Sequence, residues 1–269
     1  MNGSAGGWPA LERELDAWRA VGREATLWWR DDDAIAPTPA FEKLCNLTRR
    51  VRVPLAVAVV PAEACPALAV RIAAEAGQLV PLQHGYAHAN HAGPRARKAE
   101  LGDHRPVERV LRELARGRKT MTALFGGTSL PVLVPPWNRI APALVTRLPR
   151  LGFRGLSRDR PRRTAEPAPG LREVNCHVDI MHWPAPRGFL GESACLALLA
   201  DHLRARREGR ADAQEPSGIL SHHPAHDAPA WSFLEALLMR LRDHRAVRFL
   251  APAEVFPARE GRTRKRGAA

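Results

Sequence analysis

The chain has 269 residues, 45% of them hydrophobic, which suits one large domain with a sizeable core. Its 41 Lys and Arg outweigh 28 Asp and Glu, a formal charge of +13, yet the excess is mostly arginine spread along helices, as at 204–210, with no interleaved aromatics to stack bases, so nucleic acid is not an expected partner. No window approaches a membrane span, and Met1–Trp8 has neither a basic segment nor an apolar core, so the expected location is cytoplasmic.

Strand and helix signals alternate at intervals of about 25 residues, the rhythm of βα units. Leu11, Leu15, Trp18 and Val21 mark a helix that leads into a strand over 26–29. Thr38 and Pro39 open a helix to Arg50, and the continuous apolar run 55–60 reads as a buried strand. A helix over 66–75 precedes the strand 79–82, and the longest helical pattern runs from Pro106 to Leu124 before Gly126-Gly127. Then come a strand at 132–134 stopped by Pro135-Pro136, a helix at 142–151, a short strand at 153–156 and a Pro/Arg-rich loop over 158–170. Strands at 171–178, 218–221 and 247–250, with helices at 195–207 and 231–244, finish the pattern. Without a repeat or a second core, this predicts an α/β fold, a closed or nearly closed barrel of seven or eight parallel strands over 1–255, with a basic, disordered tail at 256–269. Cys45, Cys65, Cys176 and Cys195 form no CxxC pair, which predicts free thiols.

Four apolar runs end in ionisable residues, the way a parallel α/β scaffold gathers distant sequence into one site. Asp31-Asp32-Asp33 follows Leu27-Trp28-Trp29, too acidic to bury without a cation or hydrogen-bond donors. His84 and His88 follow the strand at 79–82 and would share one face of a helical turn, where one ion can bridge them; Asn90 and His91 would stand behind as a supporting layer. Pro135-Pro136-Trp137-Asn138 is a stiff turn that could hold a main-chain N–H toward an oxyanion, with Trp137 as the floor of a sugar site. Asp179 and His182 follow Val174, and 221–227 holds His222, His223 and His226, any one of which could serve as a general acid. His104, His177, His202 and His244 have no such company and read as structural or exposed.

Taken in order, these stretches resemble the motifs of the polysaccharide deacetylase family, the NodB-homology group of carbohydrate esterases. Asp32-Asp33-Ala34 resembles the first motif, His84-x-x-x-His88 the second, Val134-Pro135-Pro136-Trp137-Asn138 the third, Asp179 to Trp183 the fourth and Leu220-Ser221-His222 the fifth. The resemblance implies a distorted (β/α) barrel of about seven strands and one divalent metal, usually zinc, with cobalt, manganese or nickel as alternatives. It also implies that Asp32 is the general base, that Asp33, His84 and His88 are the metal ligands, and that His222, oriented by Asp179, is the general acid. Pro136, Trp137 and Asn138 would line the substrate and oxyanion side, with Arg139, Asn90, His223 and Trp183 as accessories.

The chain departs from the motifs at three places. Ala34 stands for glycine, Val134 for the arginine that positions the base, and His182 for the second aspartate of the fourth motif. Arg139 or Arg30 could supply the missing charge. The expected activity is removal of an N-acetyl group from an amino sugar in an oligo- or polysaccharide, a carbon–nitrogen bond that is not a peptide. The alternatives are hydrolysis of a small non-peptide amide on the same site, or a catalytically altered module that binds glycan or anionic polymer. Carbohydrate or a small amide is therefore the expected partner.

Overall fold

The structure is a computed structural model that describes residues 7–75 and 77–257. The basic run 259–266, with most of the tail expected from 256 onward, lies outside the described residues. Helix α1 (Trp8–Ala20) precedes β1 (Ala25–Ala34), and α2 (Pro39–Val51), β2 (Leu55–Val59), α3 (Pro66–Ala73) and β3 (Leu79–His84) follow. Next come α4 (Val107–Phe125), β4 (Val132–Val134), α5 (Pro142–Val145), β5 (Gly155–Leu156), β6 (Arg172–Glu173) and β7 (Val178–Asp179). A hairpin of β8 (Met181–His182) and β9 (Gly188–Phe189) leads to α6 (Glu192–Arg207), β10 (Ser217–Ser221), α7 (Ala228–Asp243), β11 (Val247–Phe249) and α8 (Pro252–Val255).

Local chemistry accounts for several boundaries. Thr38 caps α2 by accepting the Phe41 N–H, with Pro39 in the first turn where its missing donor costs nothing. Asp227 caps α7 in the same way through the Ala230 N–H. The helix expected over 142–151 is split, because Pro149 interrupts it and 148–151 tightens into a 3₁₀ turn.

The main sheet is parallel throughout, in the order β6-β5-β4-β3-β2-β1-β10-β7, with β11 also beside β1. The two outermost strands are the ends of one segment, which the sequence pattern joins as a single strand over 171–178. That segment pairs with β5 at its start and with β10 at its end. Between them, the Cys176 N–H donates to the Arg158 carbonyl and the Arg160 N–H donates back to the Cys176 carbonyl. The sheet thereby closes on itself. Strands β1 to β5, the broken β6–β7 strand and β10 make the seven-stranded distorted barrel that the sequence predicts.

Alternation along β1 divides its side chains between two environments. Leu27 and Trp29 face the shell of helices, whereas Trp28 points into the barrel with Ala56, Ala58, Leu82, Val132, Val134 and Leu220. Phe256 meets Trp28 edge-on at 5.7 Å and fills the same interior. Gly218 leaves room for the indole, since a Cβ there would lie 2.6 Å from Trp28 Nε1. The barrel is thus a packed core at the Trp28 level, and a site can open only above it, at the carboxyl ends of the strands. All four cysteines are free thiols.

Candidate active site

Strand β1 runs five residues past its expected end and carries all three aspartates within it. The extension holds because Asp31 still pairs with Ser221 of β10 and Val57 of β2. Continuing the alternation, Arg30 and Asp32 point into the barrel and Asp31 points out toward the helices. The register then slips between Asp31 and Ala34, and Asp33 takes a left-handed φ of 74°. That bulge turns the Asp33 carboxylate back over the strand ends, beside Asp32.

Two imidazoles meet it there. His84 Nε2 lies 3.1 Å and His88 Nε2 3.3 Å from the same oxygen, Asp33 Oδ1. The expected helical turn between the histidines is absent. His84 ends β3, and a loop with left-handed Gly85 (φ 54°) and His88 (φ 51°) brings the second ring round. The Nδ1–H of His84 donates to the Val134 carbonyl at 3.0 Å, which fixes the tautomer and leaves Nε2 free to ligate. Glu100 holds the loop, its carboxylate accepting the N–H groups of Tyr86 and Ala87 at 3.2 and 2.7 Å. Gly85 is obligatory, since a Cβ would lie 2.0 Å from Glu100 Oε2 and 2.6 Å from Pro136. Asn90 does not support the ligands as expected; its side-chain oxygen is used by the N–H groups of Ala92 and Ala99 and shapes the next loop instead.

Burial alone would raise the Asp33 carboxyl, but the close approach of His84, with His222 and His88, holds it well below the usual carboxylate range. Burial and the neighbouring His84 charge push His88 down. Asp33 Oδ1 is buried and has no hydrogen-bond donor among the described residues. An anionic oxygen facing two imidazole nitrogens, with no donor to satisfy it, is the chemistry of a divalent-cation site, and the three side chains fit such an ion. A second trio, His177, His202 and Glu215, fits one poorly: His177 Nδ1 accepts the Gly218 N–H, so its proton sits on the Nε2 that faces Glu215.

Asp32 is buried against Arg30, whose guanidinium grips both carboxylate oxygens at 2.8 and 3.0 Å. Arg30 also donates to Ser157 Oγ at 2.6 Å and to Asn138 Oδ1 at 2.8 Å. The cation missing at Val134 therefore comes from β1 itself. Arg139 lies at the cleft mouth, where it donates to the Lys98 carbonyl at 2.6 Å. Across from Asp32, His222 Nε2 stands 3.9 Å from Asp32 Oδ2, and His222 Nδ1 stands 3.7 Å from Asp179 Oδ1. Asp179 is raised by burial against the opposing influence of His222 and of its hydrogen bond from Trp183 Nε1, 2.7 Å long. Trp183 meets the His222 ring edge-on at 4.6 Å.

The other two histidines of the cluster are spoken for. His223 is buried on the helix side, its Nδ1 on Asp31, while Ser221 Oγ and the His223 N–H also donate to that carboxylate. His226 Nε2 accepts the His222 N–H at 3.2 Å. Only His222 of the three faces both aspartates. His182 is exposed on the β8–β9 hairpin, which has no counterpart in the expected elements. Pro136 is buried, and Trp137 and Asn138 both take left-handed φ values, 55° and 56°. Trp137 packs 4.4 Å from His88. These groups line a cleft of about 690 Å³, with Asp32, Asp33, His84, His88 and His222 at its base and Trp137 and Trp183 on its sides.

No family model matches the sequence, and no curated protein is similar to it. Solved structures do resemble it. A mutant of BA3943, a CE4 family pseudoenzyme with restored enzymatic activity, superposes with a TM-score of 0.55 at 11% identity over 87% of this chain and 68% of its own. The Bc1960 peptidoglycan N-acetylglucosamine deacetylase gives 0.53 at 15% identity over 87% and 88%. The chain has the polysaccharide deacetylase fold. A family 4 acetyl xylan esterase from Clostridium thermocellum, in complex with cobalt, gives 0.51 at 12% identity over 86% and 90%. At such identities the polysaccharide deacetylase fold is what is shared. Arg30 and Glu100 are the two site residues that the motif reading either left as an alternative or passed over.

Proposed function

We propose that the protein is a metal-dependent hydrolase that removes N-acetyl groups from an amino sugar of an oligo- or polysaccharide. The observation that carries this reading is the approach of His84 and His88 to one donor-free oxygen of Asp33, with Asp32 and His222 beside it on opposite sides of the cleft floor. Asp33, His84 and His88 would hold one divalent ion, zinc or cobalt by donor type. When bound, such an ion polarises the acyl oxygen and makes water more acidic.

The protein groups supply the proton traffic. Asp32 would accept the proton of the attacking water, and the bidentate Arg30 keeps its carboxylate aimed and its buried charge matched. His222 would protonate the departing amine, its ring aligned by Asp179 and the Trp183 edge. Within the turn at 135–139, Asn138 and Arg139 donate their N–H groups to Pro135 and Pro136, whereas Trp137 uses no backbone carbonyl among the described residues. The Trp137 amide is thus the available donor for a developing oxyanion. A cleft of about 690 Å³ walled by two indoles suits a sugar better than a small ureide. The neighbour whose name specifies peptidoglycan N-acetylglucosamine deacetylation supports the same substrate class.

Acetate release from N-acetylglucosamine oligomers tests the reading. Activity should vanish with chelator, return with zinc or cobalt, and be lost in Asp33→Ala. Turnover that survives chelation or that substitution would overturn it.

A further inference from the structure

The cleft floor is acidic and its mouth is not. Arg97, Lys98, Arg139 and Arg187 line the opening, contributed by the loop after β3, the proline turn after β4 and the β8–β9 hairpin. Some arginines elsewhere are matched, as Arg50 is by Glu235, Arg71 by Glu42 and Glu75, Arg162 by Asp212 and Arg207 by Glu14, and others such as Arg118 and Arg172 are not, but those do not share one cleft. Among the described residues, none of the four mouth cations has a carboxylate within ion-pair distance. The rim carboxylate Asp159 lies 3.8 Å from Arg160, and its charge also acts on Arg139 without reaching ion-pair distance. Arg139 is held in place by its bond to the Lys98 carbonyl, and burial together with the Arg97 charge pushes its pKa down. Three separate chain segments thus bring like charges together around one opening with no carboxylate in ion-pair contact among the described residues.

We propose that the substrate is an anionic N-acylated amino sugar, one that carries a carboxylate or a phosphate on or next to the residue being deacetylated, and that Arg97, Lys98, Arg139 and Arg187 receive that group. This rests on the deacetylase reading above and narrows its substrate. Unmatched cations at the rim of a walled cleft raise the local concentration of anions, and a guanidinium pair can grip a carboxylate or a phosphate at two points. Both anions satisfy the same cations, so the probe that wins identifies which is used.

The test uses metal-loaded protein and three probes: the neutral N-acetylglucosamine trimer, an oligomer alternating N-acetylglucosamine with glucuronate, and N-acetylglucosamine 6-phosphate. A charged probe should exceed the neutral one by about tenfold or more in kcat/KM at low salt, and the advantage should shrink as salt is added. In Arg97→Glu/Arg187→Glu, two exposed positions, the charged-to-neutral ratio should fall by about tenfold. Equal kcat/KM for all three probes, or a ratio that the double variant leaves in place, would overturn the inference but not the deacetylase reading. If no probe releases acetate, the deacetylase reading fails, and calorimetry with the same probes still decides the charge preference. Charged sugars binding about tenfold tighter than the neutral trimer would uphold the preference, and equal binding would reject it. Equally tight capture of a single-stranded oligonucleotide would show indiscriminate polyanion binding and reject it too.

Discussion

Arg30 sits two residues before the carboxylate it serves, and in a strand that spacing puts both on one face. The guanidinium is fully buried and spans Asp32, Ser157 and Asn138, so a single side chain ties three segments of the barrel rim together. Lysine keeps the charge but loses the fork that grips both carboxylate oxygens. Arg30→Lys is therefore expected to lower kcat by about 100-fold with a smaller change in KM, while Arg30→Met, which leaves Asp32 buried without a cation, should also lose about 3–5 kcal/mol of stability in urea unfolding. A variant Arg30→Met with wild-type kcat would show that Asp32 needs no partner. The charges at 30 and 139 were both visible in the sequence, but nothing in a linear pattern says which lies inside a barrel until the alternation of β1 is anchored by Trp28 packing within it. The same limit applies to His222, His223 and His226: three imidazoles in five residues are legible, but their assignment depends on Asp31 pointing outward to take His223. That outward carboxylate accepts three donors and is fully buried, so Asp31→Ala should cost about 3–5 kcal/mol and reduce turnover by releasing His222 from its place. Chemical denaturation alongside acetate-release kinetics checks both halves.

At the scale of elements, the loop from His84 to His88 after β3 shows where a motif stops being informative. His-x-x-x-His is read most simply as one helical turn, yet the chain here is a loop turned by two left-handed residues. The two rings still converge because Glu100, twelve residues beyond His88, binds the amides of Tyr86 and Ala87 from outside. No local signal marks Glu100, which follows a stretch rich in small and basic residues; its role arises only when the loop folds back. Buried Glu100 is raised by desolvation, against the pull of those two amides. Glu100→Ala should free His88 while His84 stays tied to the Val134 carbonyl, and a competition titration with a chromogenic chelator should then show metal affinity reduced by about 10–100-fold. Unchanged affinity would mean that the loop holds its shape without the carboxylate. The broken strand β6–β7 is the converse case. Apolar Val174, Cys176 and Val178 alternate with polar residues, which reads 171–178 as one strand, and the segment does join the two ends of the sheet, although only its ends keep strand geometry.

The whole molecule closes at that seam, and the seam is built on groups that must stay neutral. His177, next to β7, stacks flat on His202 of α6 with ring centroids 3.4 Å apart. His177 Nδ1 accepts the Gly218 N–H at 2.9 Å, so protonating that nitrogen would set a donor against a donor. Glu215 fastens the other side by accepting the N–H groups of Arg162 and Asn175, both at 2.9 Å. Burial and the nearby Arg206 and Arg162 charges lower His177 to about 3, and burial with the His177 charge lowers His202 to about 2. His226, lowered to about 4 chiefly by burial, behaves alike beneath the candidate site. A histidine depressed in the folded state adds stability that is complete above its unfolded pKa of about 6.5 and is lost as pH falls toward the folded value. Glu215, raised by burial, acts in the opposite direction, one group against the three histidines. The folded protein should therefore weaken steadily from pH 7 to pH 5, each of the three histidines removing at most about 2 kcal/mol. Urea midpoints measured across that range should fall, and His202→Asn, which cannot take up a proton, should flatten the slope even if it lowers the starting stability. Midpoints that hold constant or climb on acidification would mean that the seam tolerates charge and that the stacked pair is not what makes barrel closure depend on pH.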